Sequence, residues 1–168
     1  MELRLRPKKG GFLRPFGCGW FIREYLAGNA PYGSPAIDPI IGAPQAEIFY
    51  HYKMALINET AMDRAVRFAE KLAKAQKTPI SPDKIEELFR KYSLHIPYKT
   101  TACRYHSFVV YFSMLTRLGW VEPSGYTERS AFQENYPQGP ARKYYRLTRA
   151  GLAAGDSAWQ NPQKSERG

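Results

Sequence analysis

Apolar and small residues recur in alternating steps of four and three through the middle of the chain: Ile48, Tyr52, Ala55, then Met62, Val66, Ala69 and Ala73. Such spacing keeps one face of a helix apolar. It predicts a helix over about 44–76, with Pro44 suited to the first helical position. The helix is either continuous or broken near Asn58-Glu59-Thr60, where Thr60 would cap a second helix with Asp63 three residues on. The stripe reads as core or as a dimer seam. Ser81-Pro82-Asp83 opens a second amphipathic helix, 82–92, with Ile85, Leu88, Phe89 and Tyr92 as its buried face. A third is expected from about Lys99 to Leu118, where Phe108, Tyr111, Phe112, Leu115 and Leu118 share a face and Gly119 closes the end. Upstream, Trp20, Phe21, Tyr25 and Leu26 suit a short helix over 19–27.

Two short strands are expected, at Trp120-Val121-Glu122 and over 144–148, joined by a polar stretch rich in proline and glycine. Thr148 then caps a last helical turn or two, over 149–154. Residues 28–43, with Gly28, Pro31, Gly33, Pro35, Pro39 and Gly42, are too punctuated for a regular element. The organisation is therefore a basic arm (1–16, with a short strand at Glu2–Arg6), a helical extension with a Gly/Pro-rich loop (17–58), a domain (59–154) and a flexible tail (155–168) that is disordered from about Asn161.

Charge changes this picture most. The 168 residues hold 25 Lys/Arg against 15 Asp/Glu, a net +10 with pI near 9.7. Residues 1–30 carry six basic and two acidic groups and 99–150 carry eight and three, whereas 31–60 carry one and three. A surplus concentrated in this way implies an anionic partner. No run of eighteen apolar residues is present, and no apolar segment follows the basic N-terminal residues, so neither a membrane span nor a secretory signal is expected. Two cysteines, Cys18 and Cys103, build no disulfide framework and fit a cytoplasmic setting.

The order of elements over 60–154, with two helices, a longer helix and then a hairpin, is the layout of a winged helix-turn-helix. The segment Leu115-Thr116-Arg117-Leu118-Gly119-Trp120-Val121-Glu122 looks like the end of a recognition helix entering the first wing strand. Pro140-Ala141-Arg142-Lys143-Tyr144-Tyr145-Arg146-Leu147-Thr148-Arg149-Ala150-Gly151 resembles the second wing strand of PadR- and MarR-type transcription regulators. The resemblance implies a mainly α fold with a small β-hairpin wing and an N-terminal helical extension. It also implies sequence-specific binding of double-stranded DNA by a homodimer, with the 99–118 helix in the major groove and the 120–148 wing on the backbone. The 44–76 helix would supply the dimer contact.

On the wheel of the 99–118 helix, Lys99, Cys103, His106, Val110, Ser113 and Arg117 fall opposite Phe108, with Thr100 on the flank and Arg104 near the helix start. Lys99, Thr100, Cys103, Arg104 and His106 are the candidates for base edges or phosphates, with Arg117 on the same face. Arg142 and Lys143 at the base of the wing, and Arg129 near its tip, would reach phosphates. Arg4, Arg6, Lys8 and Lys9 form an arm suited to a minor groove. The alternative is a winged-helix subunit that binds protein within a nucleic-acid-processing assembly.

Enzyme signatures are weak. Gly17-x-Gly19 lacks a preceding strand and a third glycine, and no Walker, Gly-x-Ser-x-Gly or His-Glu-x-x-His motif occurs. Glu47/His51 and Cys103/His106 have the spacing of helical metal-ligand pairs, but two further ligands at matching spacing are missing. No catalytic residue, metal or cofactor is expected.

Overall fold

The computed structural model describes residues 16–128 and 142–167. Trp20, Phe21, Tyr25 and Leu26 form a helix as their spacing predicts: α1 spans Cys18–Leu26 and buries Phe21, Ile22, Tyr25 and Leu26. A single 3₁₀ turn at Pro31–Gly33 follows within the Gly/Pro-rich loop. Between Gln45 and Gln76 no proline or glycine interrupts the chain, and one unbroken helix, α2, fills it. Thr60 therefore caps nothing; it lies buried in mid-helix with its hydroxyl unpartnered. The remaining helices are α3 (Pro82–His95), α4 (Tyr105–Arg117), α5 (Arg149–Ala153), α6 (Asp156–Gln160) and α7 (Pro162–Arg167), with strands β1 (Val121–Glu128) and β2 (Arg142–Leu147) between α4 and α5. Among the described residues the fold is mainly helical with one two-stranded antiparallel sheet.

The described chain forms two compact units, one of Phe16 and residues 53–103, the other of 17–52 and 104–167. In the first, Ile57, Ala61 and Ile96 form a small core, with Met54, Phe89 and Tyr92 packed against it. The buried stripe of α2 here is Ala61, Ala65, Ala69 and Ala73, while Met62 is exposed. These alanines step by four residues, so the buried face departs from the stripe expected at alternating steps of four and three. Ser81 caps α3 as expected, its hydroxyl accepting from the Lys84 amide at 3.3 Å, with Pro82 in the first turn.

The second unit is held by a chain of aromatic rings. Phe49 lies 4.9 Å from Phe108, Phe108 5.9 Å from Phe112, and Phe112 5.0 Å from Tyr145 on β2. Val121 on β1 is buried on that same side of the hairpin. The expected first strand is longer than Trp120–Glu122 because it bulges. Pairing runs from Val121↔Leu147 to Pro123↔Tyr145, then slips before Thr127↔Lys143. Pro123 donates no ladder hydrogen bond, and Gly125 at φ +86 turns the extra residues outward. The sheet gains a third, single-residue edge where Ala43 and Tyr145 exchange both backbone hydrogen bonds, at 3.0 and 2.9 Å. Gly42, at φ +76, lies directly against the Tyr145 carbonyl, where a Cβ has no room.

Thr148 caps α5, its hydroxyl accepting from the Gly151 amide at 3.0 Å and donating to the Gly119 carbonyl. Over 156–167, where a flexible tail disordered from about Asn161 is expected, the chain instead forms α6 and α7. Trp159 explains the difference. Its side chain is fully buried, its ring lies 4.8 Å from Trp120, and its indole N–H donates to the Gly151 carbonyl at 2.9 Å. Arg23 on α1 adds an ion pair to Asp156 on α6 at 2.5 Å.

Candidate nucleic-acid interface

Helix α4 begins at Tyr105, six residues later than its periodicity predicts. Thr101 is extended with its hydroxyl donating to the Pro97 carbonyl at 2.8 Å, Ala102 is left-handed at φ +62, and Arg104 is the N-cap. Threonine hydroxyls compete with the helix for backbone partners, and a left-handed residue ends any right-handed continuation. The wheel drawn from Lys99 therefore applies only from Tyr105 onward. There it holds: Phe108, Phe112 and Leu115 are buried, while His106 and Arg117 are exposed. Val110 is 56% exposed. Met114 is buried.

Arg104, His106, Arg117, Arg142 and Lys143 thus share one unit, on α4 and β2. Lys99, Thr100 and Cys103 belong to the other unit and to no long helix: Lys99 and Thr100 lie in a 3₁₀ turn, Tyr98–Thr100. Cys103 is half-buried and interacts electrostatically with Lys53. Lys53 is itself buried, its ammonium 4.0 Å above the Tyr98 ring. Burial lowers the Lys53 pKa and Cys103 opposes that shift. Arg4, Arg6, Lys8, Lys9 and Arg129 lie outside the described residues.

The electrostatics of the second unit separate engaged from open cations. Arg117 is bound by Glu166 of α7 at 3.0 Å and Arg146 by Glu122 at 3.0 Å. Arg104, Lys143 and Arg149 are exposed and have no ion-pair partner among the described residues. No acidic residue occupies the first turn of α4, and no side chain caps it. The free N–H groups and positive dipole end of that helix are therefore added to Arg104 and His106. On the hairpin, Tyr126 is exposed and meets Tyr144 edge-on at 4.6 Å, on the strand beside Lys143. Sequence periodicity passed over Arg149 and Tyr126. The cap at Thr148 signals the first as an exposed first-turn residue, but no local signal marks the second. A groove of about 430 Å³ is lined by Val110, Tyr111, Met114 and Arg117 of α4 and by Gln163 and Glu166 of α7.

Glu47 and His51 stand one turn apart on α2, and the His51 ring stacks on Tyr25 at 5.6 Å. Among the described residues no group of three His, Cys, Asp or Glu side chains is placed to hold a metal. The buried Tyr25 hydroxyl faces Glu47 without closing a hydrogen bond of normal geometry. Burial, reinforced by the Glu47 charge, pushes its pKa upward. Burial likewise lowers the His51 pKa, against the pull of Glu47. The unfolded chain therefore binds that proton more readily than the folded protein, and stability is expected to fall as pH drops below about 6.5. Denaturant midpoints at about pH 7.5 and about pH 5.5 should converge in His51→Gln. An undiminished difference in that variant would assign the effect elsewhere.

Among the described residues no helix is long and apolar enough to cross a membrane. Comparison with models of known families, with curated proteins and with solved structures returns no match.

Proposed function

We propose that this protein binds double-stranded DNA as a transcriptional regulator of winged-helix type, through α4 and the β1–β2 hairpin, and acts by binding rather than turnover. One observation carries the reading: the uncapped, acid-free N-terminal end of α4 presents Arg104 and His106 to solvent. That helix packs through Phe112 on a hairpin carrying exposed Arg142 and Lys143. In this reading the start of α4 enters the major groove while the hairpin cations meet phosphates. Within this unit the groove-facing set is Arg104 and His106. A homodimer, cytoplasmic in location, fits the same proposal. Exposed apolar Val110, midway along the outward face of α4, favours the second reading, in which this face docks a protein partner.

Duplex affinity measured against salt separates the two. Arg142→Ala/Lys143→Ala is expected to weaken all duplexes alike and to flatten the slope of log affinity against log salt by about two units. Arg104→Ala/His106→Ala is expected to erode preference for a selected site by roughly tenfold while leaving nonspecific affinity nearer to wild type. Equal binding by all three proteins, seen only at low salt, would favour the protein-docking reading.

A further inference from the structure

The face that the proposed function lays on DNA has one of its cations already engaged. From Arg104 to Ser107 the outward side of α4 meets solvent, but at its last residue Arg117 is engaged by Glu166, 49 residues further along the chain, at 3.0 Å. Three features make α7 a poor permanent cover. Its side chains from Gln163 to Arg167 are all exposed, so little apolar surface holds it in place. An open groove of about 430 Å³ runs along its contact with α4. The ion pair that bridges them is itself solvated, with Arg117 and Glu166 side chains 59% and 39% exposed, and exposed pairs of this kind hold weakly.

The C-terminal segment is nevertheless tethered close by. Trp159 and Pro162 are buried, whereas Asn161 between α6 and α7 is non-helical at φ −142, ψ 71. The helix is thus broken at Asn161, and residues 163–167 follow the Trp159 and Pro162 anchors as a separate short element. A carboxylate on a guanidinium occupies the position that a phosphate oxygen would take, and phosphate is at least as good a bidentate partner for arginine. Lys164 and Arg167 have no ion-pair partner among the described residues, so a released α7 would still be attracted to the same polyanion.

We infer that α7 is an acidic stand-in for the nucleic-acid backbone, with Glu166 holding Arg117 until a DNA phosphate replaces it. This rests on the DNA-binding reading above. Arg117 at the end of α4 is then a latent part of the interface. Binding proceeds in two stages, first on Arg104, His106 and the hairpin, then on Arg117 once α7 has moved aside.

Four full-length proteins test this by fluorescence anisotropy on a short labelled duplex at several salt concentrations: wild type, Glu166→Gln, Arg117→Ala and the double variant. Thermal melts confirm that all four are folded. Glu166→Gln is expected to tighten binding about fivefold and to steepen the salt slope by about one unit, as one phosphate contact is gained at no cost of displacement. In the Arg117→Ala background the same substitution should change affinity by less than about twofold, because the cation it releases is gone. An equal gain in both backgrounds would show that Glu166 acts only through general charge and overturns the inference. So does an unchanged Glu166→Gln on a duplex that wild type binds well, and in that case the DNA-binding reading stands. Absence of duplex binding by all four proteins removes both.

Discussion

Trp159→Ala is expected to destabilise the unit that contains α4 by about 3–5 kcal/mol, the range for deleting a fully buried large aromatic side chain. Trp159 is completely buried, its ring 4.8 Å from Trp120 and its indole N–H on the Gly151 carbonyl at 2.9 Å. Removing it opens a cavity against Trp120 and orphans a carbonyl at the end of the α5 turn. Trp159→Phe separates the two contributions: it keeps much of the ring packing but leaves the carbonyl without its donor, for about 1–2 kcal/mol. Urea denaturation of the three proteins reads the difference directly from the midpoints at unchanged slope. If Trp159→Ala costs less than about 1 kcal/mol, α6 contributes nothing to the core and the tether proposed for α7 loses its anchor.

Gly42→Ala is expected to cost about 2–4 kcal/mol, from two causes that add. The backbone there is left-handed at φ +76, and the new methyl group would collide with the Tyr145 carbonyl, the acceptor of the Ala43 amide. Both hydrogen bonds between Ala43 and Tyr145 would have to lengthen, loosening β2 along the edge next to Lys143 and Tyr144. Gly125→Ala isolates the conformational part: φ is +86, but nothing stands within 4 Å of the added methyl, so the cost should be about 1 kcal/mol. Similar losses at the two sites, measured by thermal or chemical unfolding, would mean that the close approach at Gly42 relaxes freely and that the Ala43 edge is not held.

The elements read correctly along the chain are those whose determinants are local. Ser81-Pro82-Asp83 sets the start of α3 and Thr148 that of α5, because a cap needs only a side-chain oxygen and an amide three residues away. The absence of proline and glycine over 45–76 permits an unbroken α2. The two strands were legible from alternation, although the bulge lengthened the first. Less was legible of the candidate site. Arg104 and His106 remain on or beside α4, but the helix does not extend back to Lys99, since the left-handed turn at Ala102 leaves no pattern of apolar spacing. An alanine there is a good helix former, and its propensity is overridden by tertiary burial.

The C-terminal residues show the same limit from the other side. Between Ala154 and Gly168 the composition is polar apart from Ala158, Trp159 and Pro162, and periodicity finds nothing. One tryptophan anchors that stretch through partners 39 and eight residues away, Trp120 and Gly151, and so places Glu166 beside Arg117. What the sequence by itself determined is the helical class of the protein, its basic surplus, the capped starts of α3 and α5, and the hairpin near residues 121–147. All of these follow from spacing, capping and charge within a few residues. Only the tertiary structure decided where α4 begins, which alanines of α2 are buried, that Ala43 joins the hairpin, and which cations of α4 stand open. Each of these depends on contacts between residues far apart in the chain, where burial and close approach outweigh local preference.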